Sequence, residues 1–154
     1  MMKRFFLTAA ATAACSLAAT AHAQTLRFAS QGDPQTMDPH SQNESFTNSV
    51  NQQVYEYLIH RDKQLNFVPG LATSWEQLSP LKWRFKLRAG VKFHDGSAFN
   101  ADDVVYSINR GKEPTSQIAV YANAVGTPKK IDDLTVEFDL AKVNPIFPDH
   151  IAQL

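Results

Sequence analysis

Residues 83–88 constrain this chain more than any other stretch, because Trp83, Phe85 and Leu87 alternate there with Arg84, Lys86 and Arg88. Side chains on a strand point alternately to opposite faces, so this hexamer belongs in a sheet with one dry aromatic face and one wet basic face. A lone strand leaves its backbone groups unpaired, which obliges other strands to lie beside it. Leu134, Val136, Phe138 and Leu140, alternating with Thr135, Glu137 and Asp139, read as one of these. Ala89-Gly90 turns the chain, Val91-Lys92-Phe93 is expected to continue the alternation, and His94-Asp95-Gly96 to end it.

Helical signals interleave with these strands. Asn100 is placed to cap a helix, with Asp103 three residues on as its capping-box partner and Asp102 favouring the positive helix end. Val104, Val105 and Ile108 form the expected buried stripe, and Gly111 is expected to stop the helix after Arg110. Further upstream, Phe46, Val50, Val54, Tyr57 and Leu58 fall on one helical face, with Asn43, Ser45 or Thr47 as the N-cap. Thr25 to Ala29 alternates like a half-buried strand, and Gly32-Asp33-Pro34 and Asp38-Pro39 punctuate a loop. The pattern predicts a mixed fold, α/β or α+β, without an internal repeat.

The N-terminus is built for export. Lys3 and Arg4 precede an uncharged run from Phe5 to Ala19, and Ala21-His22-Ala23 supplies small residues at a cleavage site. This is the grammar of a secretory signal peptide over residues 1–23, with cleavage expected after Ala23. The run is shorter than the ~20 apolar residues that a spanning helix needs. Cys15, the one cysteine, leaves with that segment. A lipoprotein acylated at Cys15 is the competing reading, though Thr12-Ala13-Ala14 lacks the usual leucine. Neither route allows an internal disulfide, so stability must come from a sizeable core. Cleavage leaves 131 residues with 13 basic and 15 acidic side chains. A formal charge near −2 gives no reason to expect a nucleic acid or an anionic membrane as partner.

Reactive chemistry is hard to find. Asp102-Asp103 is explained by capping, since adjacent helical residues point ~100° apart. His40, His60, His94 and His150 are not at metal-ligand spacing, no G-x-S-x-G elbow occurs, and Gly70 and Gly90 stand alone. Trp83 and Phe85 could stack on sugars or bases, but their strand period favours a core role; Trp75 has no such pattern. These residues predict no enzyme, no metal site and no cofactor.

Four blocks carry a resemblance. Phe67-Val68-Pro69-Gly70-Leu71-Ala72-Thr73-Ser74-Trp75-Glu76 precedes Lys82 to Arg88, then come Gly90-Val91-Lys92-Phe93-His94-Asp95-Gly96 and Asn100 to Ile108. Their order and spacing resemble family 5 of the bacterial extracellular solute-binding proteins, which bind peptides and nickel for ATP-driven (ABC) importers. Asp38-Pro39-His40 resembles that family's short motif after its first strand, and Leu134 to Leu140 with Pro145 its later strand and helix. The resemblance implies a periplasmic-binding-protein-like fold of two lobes. Residues 24–45 would start the first lobe, and 46–154 would form part of the family's inserted domain. It also implies peptide as ligand, a membrane-embedded permease as partner, a periplasmic location and a monomeric receptor. Nickel chelate, haem, glutathione and oligosaccharide are the alternative ligands within the family. By position, Asn43 and Ser45 would reach the ligand main chain, although both are also helix-cap candidates, and Tyr121 is the nearest counterpart of a ligand-contacting tyrosine.

The run from Asp149 to Leu154 looks like an opening helical turn, and Ile146, Phe147, Ile151 and Leu154 are expected to lack partners. A cut chain is therefore expected, one that binds no peptide measurably by itself and that aggregates. A small secreted interaction protein and a secreted hydrolase with its catalytic residues further on are the rivals from other classes.

Overall fold

The computed structural model describes residues 27–30 and 32–154. One unit runs to Gln31 and a second from Gly32 to Leu154. The signal segment and its cleavage site lie outside the described residues, as do Thr25 and Leu26. Arg27 to Ala29, expected to be strand, carry no regular structure. Alternation makes a strand only where a neighbour accepts its hydrogen bonds, and no described strand pairs with this segment.

The second unit is organised around an antiparallel sheet. Its elements are α1 (Ser45–Asn51), β1 (Ile59–Arg61), β2 (Phe67–Pro69), β3 (Ala72–Ser79), β4 (Lys82–Leu87), α2 (Ala101–Gly111), α3 (Ala119–Ala124), β5 (Thr127–Asp132), β6 (Thr135–Asp139) and α4 (Phe147–Ile151). β1 and β2 form a small hairpin, while the main sheet has the order β3-β4-β6-β5. Both strands read from alternation, β4 and β6, occupy the centre of that sheet. Phe85 sits opposite Val136 and Trp83 opposite Phe138, so the dry faces are in register. β5 is an edge strand carrying Pro128, where a missing N–H is tolerated.

The wet face is an ordered charge ladder. Glu76, Arg84, Glu137 and Lys129 lie side by side on consecutive strands, alternating in sign. Arg84 donates to Glu137 at 2.6 and 2.9 Å, and Lys82 reaches Glu137 at 3.3 Å and Asp139 at 3.1 Å. Glu137 is buried, and the Arg84 guanidinium holds its carboxyl below the usual carboxylate range.

The dry face carries the core. Phe85, Phe138 and Phe147 are fully buried. The Phe147 ring stacks on Trp83 at 5.0 Å and meets Phe138 edge-on at 5.7 Å. Ala101, Val104 and Ile108 from α2 join the same cluster, as do Ile59 from β1 and Ile151 from α4. This corrects the expectation for Phe147 and Ile151, which pack into the core; Leu154 is partly buried against the same cluster, while Ile146 remains 54% exposed.

Local signals around α2 hold in detail. Asn100 Oδ1 accepts from the Asp102 N–H at 2.7 Å, and the Asp103 carboxylate accepts from the Asn100 N–H at 2.8 Å. Asn100→Ala should cost about 1 kcal/mol, read as a lowered thermal midpoint. Gly111 does not stop the helix. It is the last residue of α2, is followed by Lys112 in right-handed conformation, and brings its backbone close to α3: an added Cβ would lie 3.2 Å from that of Ala122. Val91 to Phe93 does not extend into a regular strand: Lys92 makes a single antiparallel bridge to Ala98, and the chain turns at His94-Asp95-Gly96. Gly96, at φ +90°, and the Asp95 carboxylate accepting from the Ser97 N–H fold the segment back too soon for a strand.

Candidate functional site

The Asp38-Pro39-His40 segment is fixed to α2 by a charge-assisted fork. Arg110 Nη1 and Nη2 donate to the two Asp38 carboxylate oxygens at 2.9 and 2.5 Å. Asp38 Oδ1 also accepts from the His40 N–H at 3.0 Å. These hydrogen bonds, led by those from Arg110, hold the Asp38 carboxyl at about 2, below its ordinary 3.8. A lowered carboxyl stabilises the fold above its unfolded value, and that contribution disappears as pH falls from about 3.8 through about 2. Arg110→Gln should return the Asp38 titration towards 3.8, a shift that carboxyl NMR resolves.

His40 is buried beneath this fork and anchored at both ends. Its carbonyl accepts from the Gln117 N–H at 2.9 Å and the Ser116 hydroxyl at 3.2 Å. Its ring sits with Nδ1 3.0 Å from Arg110 Nη1 and Nε2 3.5 Å from Ser107 Oγ. The fork therefore sets the position of the chain immediately before α1.

The α1 helix is capped by Glu44, not by Asn43, Ser45 or Thr47. The Glu44 carboxylate accepts from the Phe46 and Thr47 N–H groups at 2.9 and 2.8 Å. Its carboxylate serves the N2 and N3 donors that a Ser or Asn at the same N-cap position would serve. The helix also ends at Asn51, short of Tyr57 and Leu58, and buries Thr47 and Asn51. Its polar face is thus the covered one, contrary to the expectation built on Phe46 and Val50. Thr47 is held inside because its hydroxyl accepts from the Gln35 N–H at 3.1 Å.

A cavity of about 280 Å³ opens beside this polar helix. Asn43, Asn48 and Asn51 line it from the α1 side, His40 from the motif, and Tyr121 from α3. Asn43 and Tyr121 therefore share one cavity, whereas Ser45 lies outside its lining and is exposed. Asn43 is oriented by the Asn48 amide, which donates to its Oδ1 at 3.2 Å. The Tyr121 ring rests 5.8 Å from that of His150. Residue-by-residue reading did not single out Asn48 or Asn51. Their signal was the i, i+3 spacing of asparagines on the polar face of α1, too polar for a core stripe.

Amides, a phenol and an imidazole in one small cavity can exchange hydrogen bonds in both directions. Ser107 Oγ, which also lines the cavity, lies 3.5 Å from His40 Nε2, but the Nδ1 side of that ring faces the Arg110 guanidinium and not a carboxylate that would orient it as a base. Among the described residues no group of three or more His, Cys, Asp or Glu side chains is placed to hold a metal ion. No described helix is long and apolar enough to cross a membrane.

Comparison with known proteins follows the same outline. Residues 66–154 match the family model described as bacterial extracellular solute-binding proteins, family 5 Middle. A glutathione-binding protein of Pectobacterium atrosepticum is 33% identical over 120 residues, covering 76% of this chain and 23% of the relative. A dipeptide-binding protein of Escherichia coli is 33% identical over 151 residues, covering 84% and 28%. The structure of NikZ from Campylobacter jejuni in complex with Ni(L-His) superposes with a TM-score of 0.71 at 28% identity, covering 79% of this chain and 25% of that one. The chain thus spans about a quarter of the length of the relatives it matches.

Proposed function

Because the chain belongs to family 5 of the bacterial extracellular solute-binding proteins, we propose that it is part of a periplasmic receptor that captures peptides and passes them to a membrane ABC permease. The observation that carries this reading is the shared cavity of Asn43, His40 and Tyr121 beside a polar helix face. A peptide main chain brings donors and acceptors that must be paired once water is removed. Amide and hydroxyl side chains meet both kinds, and space for water between them tolerates varied side chains. Relatives whose names refer to glutathione and a dipeptide support ligands of this chemistry. The charged-then-apolar segment of residues 1–23 supports delivery across the inner membrane.

In this reading residues 24–45 begin the first lobe and 46–154 form part of the inserted domain. The opposing wall of the cleft comes from a second lobe, and hinge closure around the ligand presents the form the permease recognises. The protein works as a monomer, and no bond in the ligand is made or broken.

Calorimetry on the two-lobed receptor, with di- and tripeptides beside Ni(L-His), tests the assignment. Peptides should bind one to one, and Asn43→Ala or Tyr121→Phe should each weaken them about five- to tenfold, the cost of one hydrogen bond. Binding of Ni(L-His) alone, with peptides inert, would overturn it.

A further inference from the structure

His40 stands where the fork, the helix α2 and the cavity meet. Its ring is almost fully buried, at 8% exposure, yet it forms part of the cavity wall. Arg110 Nη1 points a proton at Nδ1 from 3.0 Å, so Nδ1 must offer its lone pair and the ring proton must sit on Nε2, towards Ser107 Oγ at 3.5 Å. That arrangement admits a neutral imidazole only. A second ring proton would set N–H against N–H and cation against cation, in a place with little water to screen them.

We propose that His40 is a proton-operated latch on the candidate ligand cavity, closed when neutral and released when protonated. The groups facing it make this a one-way device. From α2, Arg110 opposes the charged ring and Ser107 is neutral. From its own segment Asp38 favours the charged ring, but both of its carboxylate oxygens are already engaged by Arg110. Glu113, beyond the end of α2, adds a weaker attraction. Ser116 and Gln117, ahead of α3, hold the backbone carbonyl and leave the ring free to leave its seat. Tyr55, Tyr57, Tyr121 and the acidic Glu56 line the same cavity, and Glu56 is not among the charges that act on the ring.

Burial, followed by the charge of Arg110, lowers the imidazole from its ordinary 6.5. Neutral His40 therefore stabilises the fold above pH 6.5, and the contribution is lost as pH falls below that value towards the folded titration point. Asp38 loses its own contribution only below about 3.8, whereas that of His40 begins to fall below 6.5. Ejection of the ring removes one wall of the cavity while the Asp38–Arg110 fork stays in place, which couples acidity to the cavity's shape.

This inference rests on the proposed site, but its test needs no ligand. In the 15N-labelled chain, His40 should titrate below 6.5. The amide signals of Asn43 and Tyr121 should move with the same midpoint. His40→Asn keeps an acceptor near the Nδ1 position and cannot take a proton. It should abolish those movements and remove the part of the acid-induced fall in thermal midpoint between pH 7 and 5 that belongs to this residue. A His40 titration at or above 6.5 would overturn the latch, as would cavity signals that ignore it. If His40→Asn proves unfolded, the wild-type titration decides by itself. Failure of peptides to bind in calorimetry would refute the ligand assignment and leave this result standing.

Discussion

Phe85→Ala is expected to destabilise the chain by about 3–5 kcal/mol, the usual cost of emptying a fully buried phenylalanine site. Phe85 has no exposed surface and contacts aromatic rings on three sides: Trp75 at 6.4 Å, Phe138 at 5.5 Å and Phe147 at 6.1 Å. These neighbours come from β3, β6 and α4, so the cavity cannot collapse without moving several elements. Against a total stability of about 5–15 kcal/mol, such a loss is a large fraction. The thermal midpoint should drop by more than about 10 °C. Tyr106→Ala, at a side chain 69% exposed on α2, is the control and should change stability by no more than ~0.5 kcal/mol. Equal midpoints for the two variants would mean that the aromatic cluster is not the centre of the fold.

Gly126→Ala should be the next most damaging change. Gly126 connects α3 to β5 at φ +74°, a region that costs an L-residue about 1–2 kcal/mol. An added Cβ would also press on the Asp139 carbonyl oxygen and lie 2.9 Å from Leu140 Cα, which is backbone and cannot swing aside. Gly90 separates the two contributions, because it has nearly the same φ, +75°, and nothing within 4 Å of the added atom. Gly90→Ala should therefore lose about 1 kcal/mol and Gly126→Ala about 3 kcal/mol or more, read from urea unfolding. Similar losses at the two sites would show that the strand end yields to the clash.

These two sites mark what was legible in the sequence. Trp83 to Leu87 and Leu134 to Leu140 announced central strands because each alternates over its own length. Asn100 with Asp103 announced a helix start because the cap is made within four residues. Where the information lies in a partner, the sequence is silent. β5, with Pro128 buried but Lys129 to Asp132 all exposed at the sheet edge, has no alternation of its own and takes its register from β6. The helix α1 was misread because apolar residues identify a buried face only when the core lies beside them; here Gln35 holds Thr47 inside instead. Phe147 and Ile151 carry no local sign of their partners because their packing runs backwards in the chain, Phe147 onto Trp83 and Phe85 and Ile151 into the same core cluster. At the site, Asn43 and Tyr121 came from the resemblance alone, and their common cavity is a property of the fold. The Asp38–Arg110 fork was invisible, since nothing local in either residue points to the other.

That fork joins residues 72 positions apart, and the separation has a kinetic consequence. Closing so long a loop is costly in chain entropy until something else has brought the ends together. The hairpin contacts of β3 with β4 and of β5 with β6 are far more local and do not need it. The segment carrying Asp38 and His40 should therefore dock last, onto a sheet already formed, and the cavity it walls should be the latest feature to appear. Arg110→Ala should then leave the folding rate nearly unchanged and accelerate unfolding, so that the first part of the molecule to come undone is the part that would hold the ligand.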